Sequence, residues 1–487
     1  MEVLDQNNNA YETKLNEYVS DEKSAVNLIS SIGYLMYEQS IELVLFRNPL
    51  VDKSISEVLN LHKKAKTIAY NPVDIHTTRA IAEELINLDL APSKLDVGRL
   101  ASEWIKEKNN FSSLTDFLGN KLSDFKSDNA HQLKPKDVVL YGFGRIGRLA
   151  ARELIKQAGK GQQLRLKAIV TRSVTENDII KRAALLRNDS VHGFFSGTVE
   201  EDIENKALII NGQIVKLIEA KNPEDVDYTA FGIKDALIID NTGVFTNKEE
   251  LGRHLKAKGV SKVLLTAPGK EIPNVVYGIN EGNLDIENDH IFSAASCTTN
   301  AISPILYTIE NTLGVVKGHI ETVHAYTNDQ NLLDNMHKKP RRGRSAAINM
   351  VITSTGAGNA VTKVIPSLKE KLTANAVRVP TPNGSLAILS LNIAKETSVD
   401  ELNEIIRKAA LEGGLVNQIK YENDPELVSN DIIGNICCSV YDSNATIVSN
   451  DKKNIVLYVW YDNEFGYTKQ VIRLAKYIAK VRRLIYY

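Results

Sequence analysis

The sequence predicts an α/β chain: a parallel-sheet domain and an α+β domain with an antiparallel or mixed sheet, preceded by an all-α N-terminal domain. Three textures carry this reading. Residues 10 to about 125 show helix-type apolar spacing, as in Val26, Leu28, Ile29, Ile32, Leu35 and Met36, with little strand-like alternation. Beyond residue 136 short apolar runs alternate with helical stretches. These runs are 138–141, 166–170, 236–239 and 262–265, and strands covered on both faces read this way. From about 315 to 460 the strands lengthen and alternate, as in 384–393 and 454–460.

Breaks at Asn48-Pro49, Asn71-Pro72 and Ala91-Pro92 cut the first region into about four to six helices. The polar segment from Ser127 to Lys136, with Pro135 near its end, reads as a linker. The resulting division is 1–130, a helical extension of unassigned role; 136–296, a cofactor domain completed by a C-terminal helix at about 463–487; and 297–462, a catalytic domain. At 487 residues the chain is too long for one hydrophobic core, which agrees with such a split.

With 43% hydrophobic and 24% charged residues, the composition is that of a soluble globular protein. A formal net charge of -1 provides no global attraction to nucleic acid or anionic lipid, so an anionic ligand needs a local site. The start MEVLDQNNNAYETK lacks a basic and then apolar leader, and no stretch approaches ~18 apolar residues, so a cytoplasmic protein without membrane or nucleic-acid partners is expected. Cys297, Cys437 and Cys438 fit neither a disulfide framework nor metal-ligand spacing, and no metal site is expected.

The first strand after the linker runs into Gly142-Phe143-Gly144-Arg145-Ile146-Gly147-Arg148 and then a helical run. Glycine at 142 permits the tight turn, at 144 it lets backbone approach a pyrophosphate, and at 147 it allows close helix-strand packing. A phosphate there would face free N–H groups at a helix N-terminus. This placement predicts a Rossmann-type dinucleotide site. The next strand ends Ile169-Val170-Thr171-Arg172-Ser173, without the acid that would bind a ribose diol. Thr171 and Arg172 can instead donate to a 2′-phosphate, which leans toward NADP or dual use of NAD and NADP.

Ser296-Cys297-Thr298-Thr299-Asn300 follows a largely apolar run and opens a helical stretch. A cysteine at a helix N-terminus gains thiolate stabilisation from the dipole, and a nearby imidazolium would add more. The hydroxyl and amide neighbours make this a poor place for a packing residue.

From about residue 136 onward the chain resembles the phosphorylating glyceraldehyde-3-phosphate dehydrogenase family. The likeness rests on Ala295-Ser296-Cys297-Thr298-Thr299-Asn300 and the glycine-rich turn, with four further motifs in order: 189–193 (DSVHG), 322–330 (TVHAYTNDQ), 378–383 (RVPTPN) and 460–467 (WYDNEFGY). The resemblance implies that Cys297 attacks an aldehyde carbon, that His324 lowers the thiol pKa and acts as base, and that the cofactor accepts hydride. It also implies that inorganic phosphate cleaves the thioester. Thr327, Asp329, Arg342 and Arg378 would hold the substrate's phosphate, and Ser296, Thr298, Thr355 and Gly356, with Arg378, the attacking one. Asn463 would bind the nicotinamide carboxamide with Tyr467 packed nearby, and Thr242, Gly243 and Thr266 would surround adenine and ribose. A homotetramer is implied, because the loop Asn335 to Arg342 would reach a neighbour's cofactor.

Two departures stand out. Asn335-Met336 replace a Leu-Pro pair of NAD-using members, which again favours NADP tolerance. Gly358-Asn359 stand where members commonly place a small residue and a lysine, so the hold on inorganic phosphate is altered. The competing readings are an erythrose-4-phosphate dehydrogenase on the same scaffold, and a regulatory or interaction protein whose helical domain is the binding surface.

Overall fold

The computed structural model describes residues 2–68, 73–127 and 133–487. The break expected at Asn71-Pro72 and residues 128–132 of the expected linker lie outside the described residues. The chain divides into two compact units. One comprises Met1–Lys134 with Gly159–Gln162 and Arg482–Tyr487, the other Pro135–Ala158 with Gln163–Val481.

The first unit corrects the all-helical expectation for the N-terminal region. Its helices Glu2–Glu38, Ile55–Ile68, Ile75–Leu85, Val97–Glu107 and Leu114–Lys121 accompany a four-stranded sheet. The strand order is Asn48–Pro49, Glu42–Leu45, Ser93–Asp96, Leu484–Tyr486, with the last three parallel. Glu42–Leu45 is buried along its whole length, so it reads as an apolar run that periodicity cannot separate from a helix segment. Three of the four residues of Ser93–Asp96 are polar, and its second partner comes from the far end of the chain. The C-terminal helix therefore stops at Ile478, and Leu484–Tyr486 beyond it is a strand of the N-terminal sheet.

One buried carboxylate organises this sheet's end. Asp96 Oδ1 accepts from the amides of Phe46, Gly98 and Arg99, and Oδ2 from that of Arg47, at 2.8 to 3.1 Å. It thereby caps the helix Val97–Glu107 and holds Phe46 and Arg47 at φ 43° and 69°, in the left-handed region.

The second unit contains the expected parallel and mixed sheets. The first sheet runs Ile291–Ser293, Val260–Leu265, Ala236–Asp240, Lys136–Tyr141, Leu164–Thr171, Gln213–Glu219, Ala207–Ile210, Val199–Asp202, parallel except at its last two pairings. Strand order reverses at Lys136–Tyr141, and a ligand crevice is expected at its carboxyl end. Alternate residues of that strand enter different cores: Val138 and Leu140 pack with Leu154, Ile179 and Val471, while Val139 and Tyr141 pack with Tyr228 and Leu251.

The second sheet runs Val351–Thr353, Leu372–Val379, Val315–Ala325, Ser385–Ile393, Asn454–Tyr461, Ser439–Asp442, Ile419–Glu422, with mixed pairing. The helices Cys297–Thr312, Ala357–Val364 and Val399–Leu411 supply Ile302, Ile305, Val361, Leu402 and Ile406 to its core.

Candidate active site

The glycine loop leaves Lys136–Tyr141 and enters the helix Arg145–Lys156. Gly142 sits at φ +93°, which favours glycine, and a Cβ on Gly147 would lie 2.5 Å from the Gly142 carbonyl oxygen. A Cβ on Gly144 would meet nothing within 4 Å. Packing thus demands glycine at 142 and 147, whereas the space at 144 lies open beside helix amides that no side chain caps. These features fit a dinucleotide pyrophosphate.

Beside the loop lies a cavity of about 290 Å³, lined by Gly142, Phe143, Thr171, Arg172, Lys221, Thr242 and Phe245 among others. Thr171 spends its hydroxyl proton on the Ser173 carbonyl, and Arg172 is exposed. Lys221, which sequence reasoning missed, adds a second cation on this wall. Gly243, at φ +67°, adjoins Thr242. Asp240 Oδ1 accepts from the Thr242 amide and hydroxyl at 2.8 and 2.7 Å, Asp240 Oδ2 pairs with His254 at 2.9 Å, and the Thr266 hydroxyl donates to the Asp240 carbonyl. Asp240 and His254 were not expected; both are wholly buried, and their role is to hold the Thr242 turn.

Arg145 and Ile146 are the first two residues of the helix that follows the loop. Arg145 ion-pairs with Asp189 and Glu464, and Glu464 also meets His192 at 3.0 Å, so the glycine loop, DSVHG and WYDNEFGY motifs meet in one charged cluster. Ile146 packs against the core beneath the loop.

Cys297 is the first residue of its helix, and the Ser296 hydroxyl caps that helix by accepting from the Thr299 amide at 3.0 Å. The preceding Ala295 has φ +55°, an uncommon conformation for a residue with a side chain. Three bonds hold the turn: Tyr467 donates its hydroxyl proton to the Ala295 carbonyl at 2.9 Å, Asn300 donates to the Ala294 carbonyl at 2.8 Å, and the Ala295 amide donates to Ser293 at 3.0 Å. Strain held this firmly at a reactive side chain is typical of functional sites.

The Cys297 sulfur lies 3.7 Å from His324 Nε2. His324 Nδ1 lies 2.7 Å from the Ala325 carbonyl oxygen, which only accepts, and 3.0 Å from Arg378 Nη1, which only donates, while Nε2 faces the thiol. Burial, then the Arg378 charge, hold the imidazole down at about 3, so it is neutral at ordinary pH. Burial pushes the thiol up, and the leading opposing influence is Arg378, followed by hydrogen bonds from Thr298.

Around this pair a second cavity of about 290 Å³ is lined by Ser296, Cys297, Thr298, His324, Lys339, Arg342, Ser354, Thr355, Gly356 and Arg378, with other residues. Thr327 and Asp329 do not line it, although Asp329 ion-pairs with Arg342 and so steers it. Two helix N-termini, at Cys297 and Ala357, open on this cavity.

Comparison with known proteins agrees with this geometry. Residues 136–248 match the family model described as glyceraldehyde 3-phosphate dehydrogenase, NAD binding domain, and residues 296–463 match the C-terminal domain of the same family. The chain belongs to the glyceraldehyde-3-phosphate dehydrogenase family. It is similar to a glyceraldehyde-3-phosphate dehydrogenase-like protein of Pseudomonas aeruginosa, 46% identical over 93% of this chain and 98% of the relative. That span takes in most of the N-terminal unit as well. Dehydrogenases of Priestia megaterium and Geobacillus stearothermophilus are each 39% identical over 70% of this chain and 98% of theirs. The family assignment stands from the sequence reading; its description of the N-terminal addition as helical does not.

Within the family's WYDNEFGY motif, Asn463 is buried and its Oδ1 accepts from the Ser385 hydroxyl at 2.8 Å, while Ser385 accepts from the Ala325 amide at 3.1 Å. This fixes the Asn463 amide with its NH2 group free to donate. Ser385 was invisible to sequence reasoning, since a serine in an alternating strand carries no signal of its own.

Proposed function

We propose that the chain oxidises glyceraldehyde 3-phosphate with NAD(P) and inorganic phosphate to 1,3-bisphosphoglycerate, reversibly, as a step of glycolysis or gluconeogenesis. The observation that carries this is the Cys297 sulfur, at a helix N-terminus, facing the neutral His324 Nε2 at 3.7 Å inside a cavity lined by arginines.

In this reading His324 Nε2 takes the thiol proton, the Cys297 sulfur bonds to the aldehyde carbon as the carbonyl π bond breaks, and the ring returns that proton to the carbonyl oxygen, giving a hemithioacetal and a neutral imidazole. The helix-end amide of Cys297, together with His324, stabilises the oxygen that gains charge. A bound nicotinamide supplies the acceptor for the hydride that leaves the same carbon. Asn463, Tyr467, Thr242, Gly243, Thr266 and the glycine loop hold that cofactor. His324 accepts the hydroxyl proton as the thioester forms. Phosphate then adds to the thioester carbonyl and the carbon–sulfur bond breaks, returning Cys297 and releasing the acyl phosphate. Arg342, steered by Asp329, and Arg378 hold the substrate's phosphate; Ser296, Thr298, Thr355 and Gly356 hold the attacking one.

NADP tolerance is supported by Arg172 and Lys221 on one cavity wall. Self-association, as a homotetramer, is supported by the exposed apolar side chains Leu332, Leu333, Met336, Ile348, Met350 and Ile352. Among the described residues no helix is long and apolar enough to cross a membrane. Initial rates with glyceraldehyde 3-phosphate and erythrose 4-phosphate, each with NAD or NADP and with or without phosphate, test the reading. Phosphate-dependent turnover favouring the three-carbon aldehyde is expected; faster turnover of the four-carbon sugar, independent of phosphate, would overturn it.

A further inference from the structure

The cavity around Cys297 has a third cation beside the two expected arginines. Arg342 ion-pairs with Asp329 and donates its Nε–H to Thr353, and Arg378 donates to the Ala325 carbonyl at 2.8 Å. Each arginine thus has part of its donor set engaged by protein. Lys339 differs: its Nζ meets the Ser354 hydroxyl at 3.3 Å and no carboxylate among the described residues.

Position adds to this. Ser354 precedes Thr355 and Gly356, and Gly356 is the N-cap of the helix Ala357–Val364. Lys339 therefore lines the cavity together with Thr355, Gly356 and Ala357, the helix end read as the seat of the attacking phosphate, and its ammonium group meets the serine that leads into that end. Two residues into that helix, Asn359 is exposed and uncharged, where the resembled family commonly carries lysine.

We infer that Lys339, delivered from the loop 331–344, supplies the positive charge that Asn359 does not, and so sets the enzyme's affinity for inorganic phosphate. The inference rests on the phosphorylating reading above. A lysine suits this role because it is a point charge on a flexible stem and can follow an anion that arrives, reacts and leaves, whereas a guanidinium fork favours one fixed pose.

Phosphate reaches this cavity from two sources, the free anion and the phosphoryl group of the aldehyde, and the test separates them. Steady-state rates are measured on the full chain, wild type against Lys339→Met and Lys339→Arg, with phosphate varied at fixed aldehyde and then the reverse. For Lys339→Met, kcat/KM for inorganic phosphate should fall about tenfold, while that for glyceraldehyde 3-phosphate falls less than about threefold. Lys339→Arg, which keeps the charge, should stay within about threefold of wild type for both. An unchanged value for phosphate, or a loss confined to the aldehyde, overturns the inference. Failure of the underlying reading shows itself separately, as wild-type turnover that needs no phosphate.

Discussion

Cys297, His324 and Arg378 line one cavity, and the Arg378 charge bears on both of the others. The guanidinium opposes the burial that pushes the thiol up, and the same charge helps to hold the imidazole down at about 3. A depressed histidine has a consequence for stability. The unfolded chain binds a proton near the ordinary value of about 6.5, the folded one only near 3, so His324 costs nothing above 6.5 and destabilises increasingly as pH falls toward 3. His324→Gln removes that term. Urea unfolding of both proteins from pH 7.5 to 4 should show the wild type losing stability relative to the variant below about pH 6.5; a constant difference would mean that the ring titrates alike in the folded and unfolded chains and would contradict the lowered value. Reactive side chains were legible in the sequence because their neighbours are unusual: a cysteine among hydroxyls at a helix start has few other uses. Ser385, Asp240, His254 and Lys339 were not. Ser385 meets Asn463, 78 residues on, and the Asp240–His254 pair and the Lys339–Ser354 contact join separate elements, so nothing local marks these residues.

At the scale of elements, the glycine loop separates packing from binding. Gly147→Ala places a Cβ against the Gly142 carbonyl and should cost about 1–3 kcal/mol of stability. Gly144→Val meets no protein atom at its Cβ, so it should leave the melting temperature nearly unchanged while weakening NAD binding about tenfold or more, measured by calorimetric titration. Equal losses of stability in both variants would remove the assignment of the open space to a ligand. The parallel strands were legible because they are short apolar runs between helices and turn glycines. The strands Glu42–Leu45 and Ser93–Asp96 were not, since one is buried along its whole length and the other is too polar to suggest a core. Burial of a short run on both faces erases the alternation that distinguishes a strand.

For the molecule as a whole, the N-terminal unit is built from both ends of the chain. Leu484–Tyr486 pairs with Ser93–Leu95, and Arg483, itself buried, reaches Glu42 at 3.3 Å. No window of sequence contains that sheet, and so its existence could not be read from residues 1–130 alone. Deleting residues 482–487 should therefore destabilise this unit by about 2 kcal/mol or more through lost pairing and a weakened buried ion pair. Hydrogen exchange should quicken at Ser93–Asp96 and stay unchanged at Lys136–Tyr141; uniform exchange at both would contradict the shared sheet. A deletion of residues 1–130 alone would strand the C-terminal segment as an unpaired edge, so a clean removal takes both ends. The most direct test of the whole account is a rapid-mixing experiment with NAD and glyceraldehyde 3-phosphate in the absence of phosphate. A burst of about one reduced cofactor per Cys297 is expected, then a stall that added phosphate relieves, and no burst in Cys297→Ser. Steady turnover without phosphate, or a full burst in the serine variant, would contradict it.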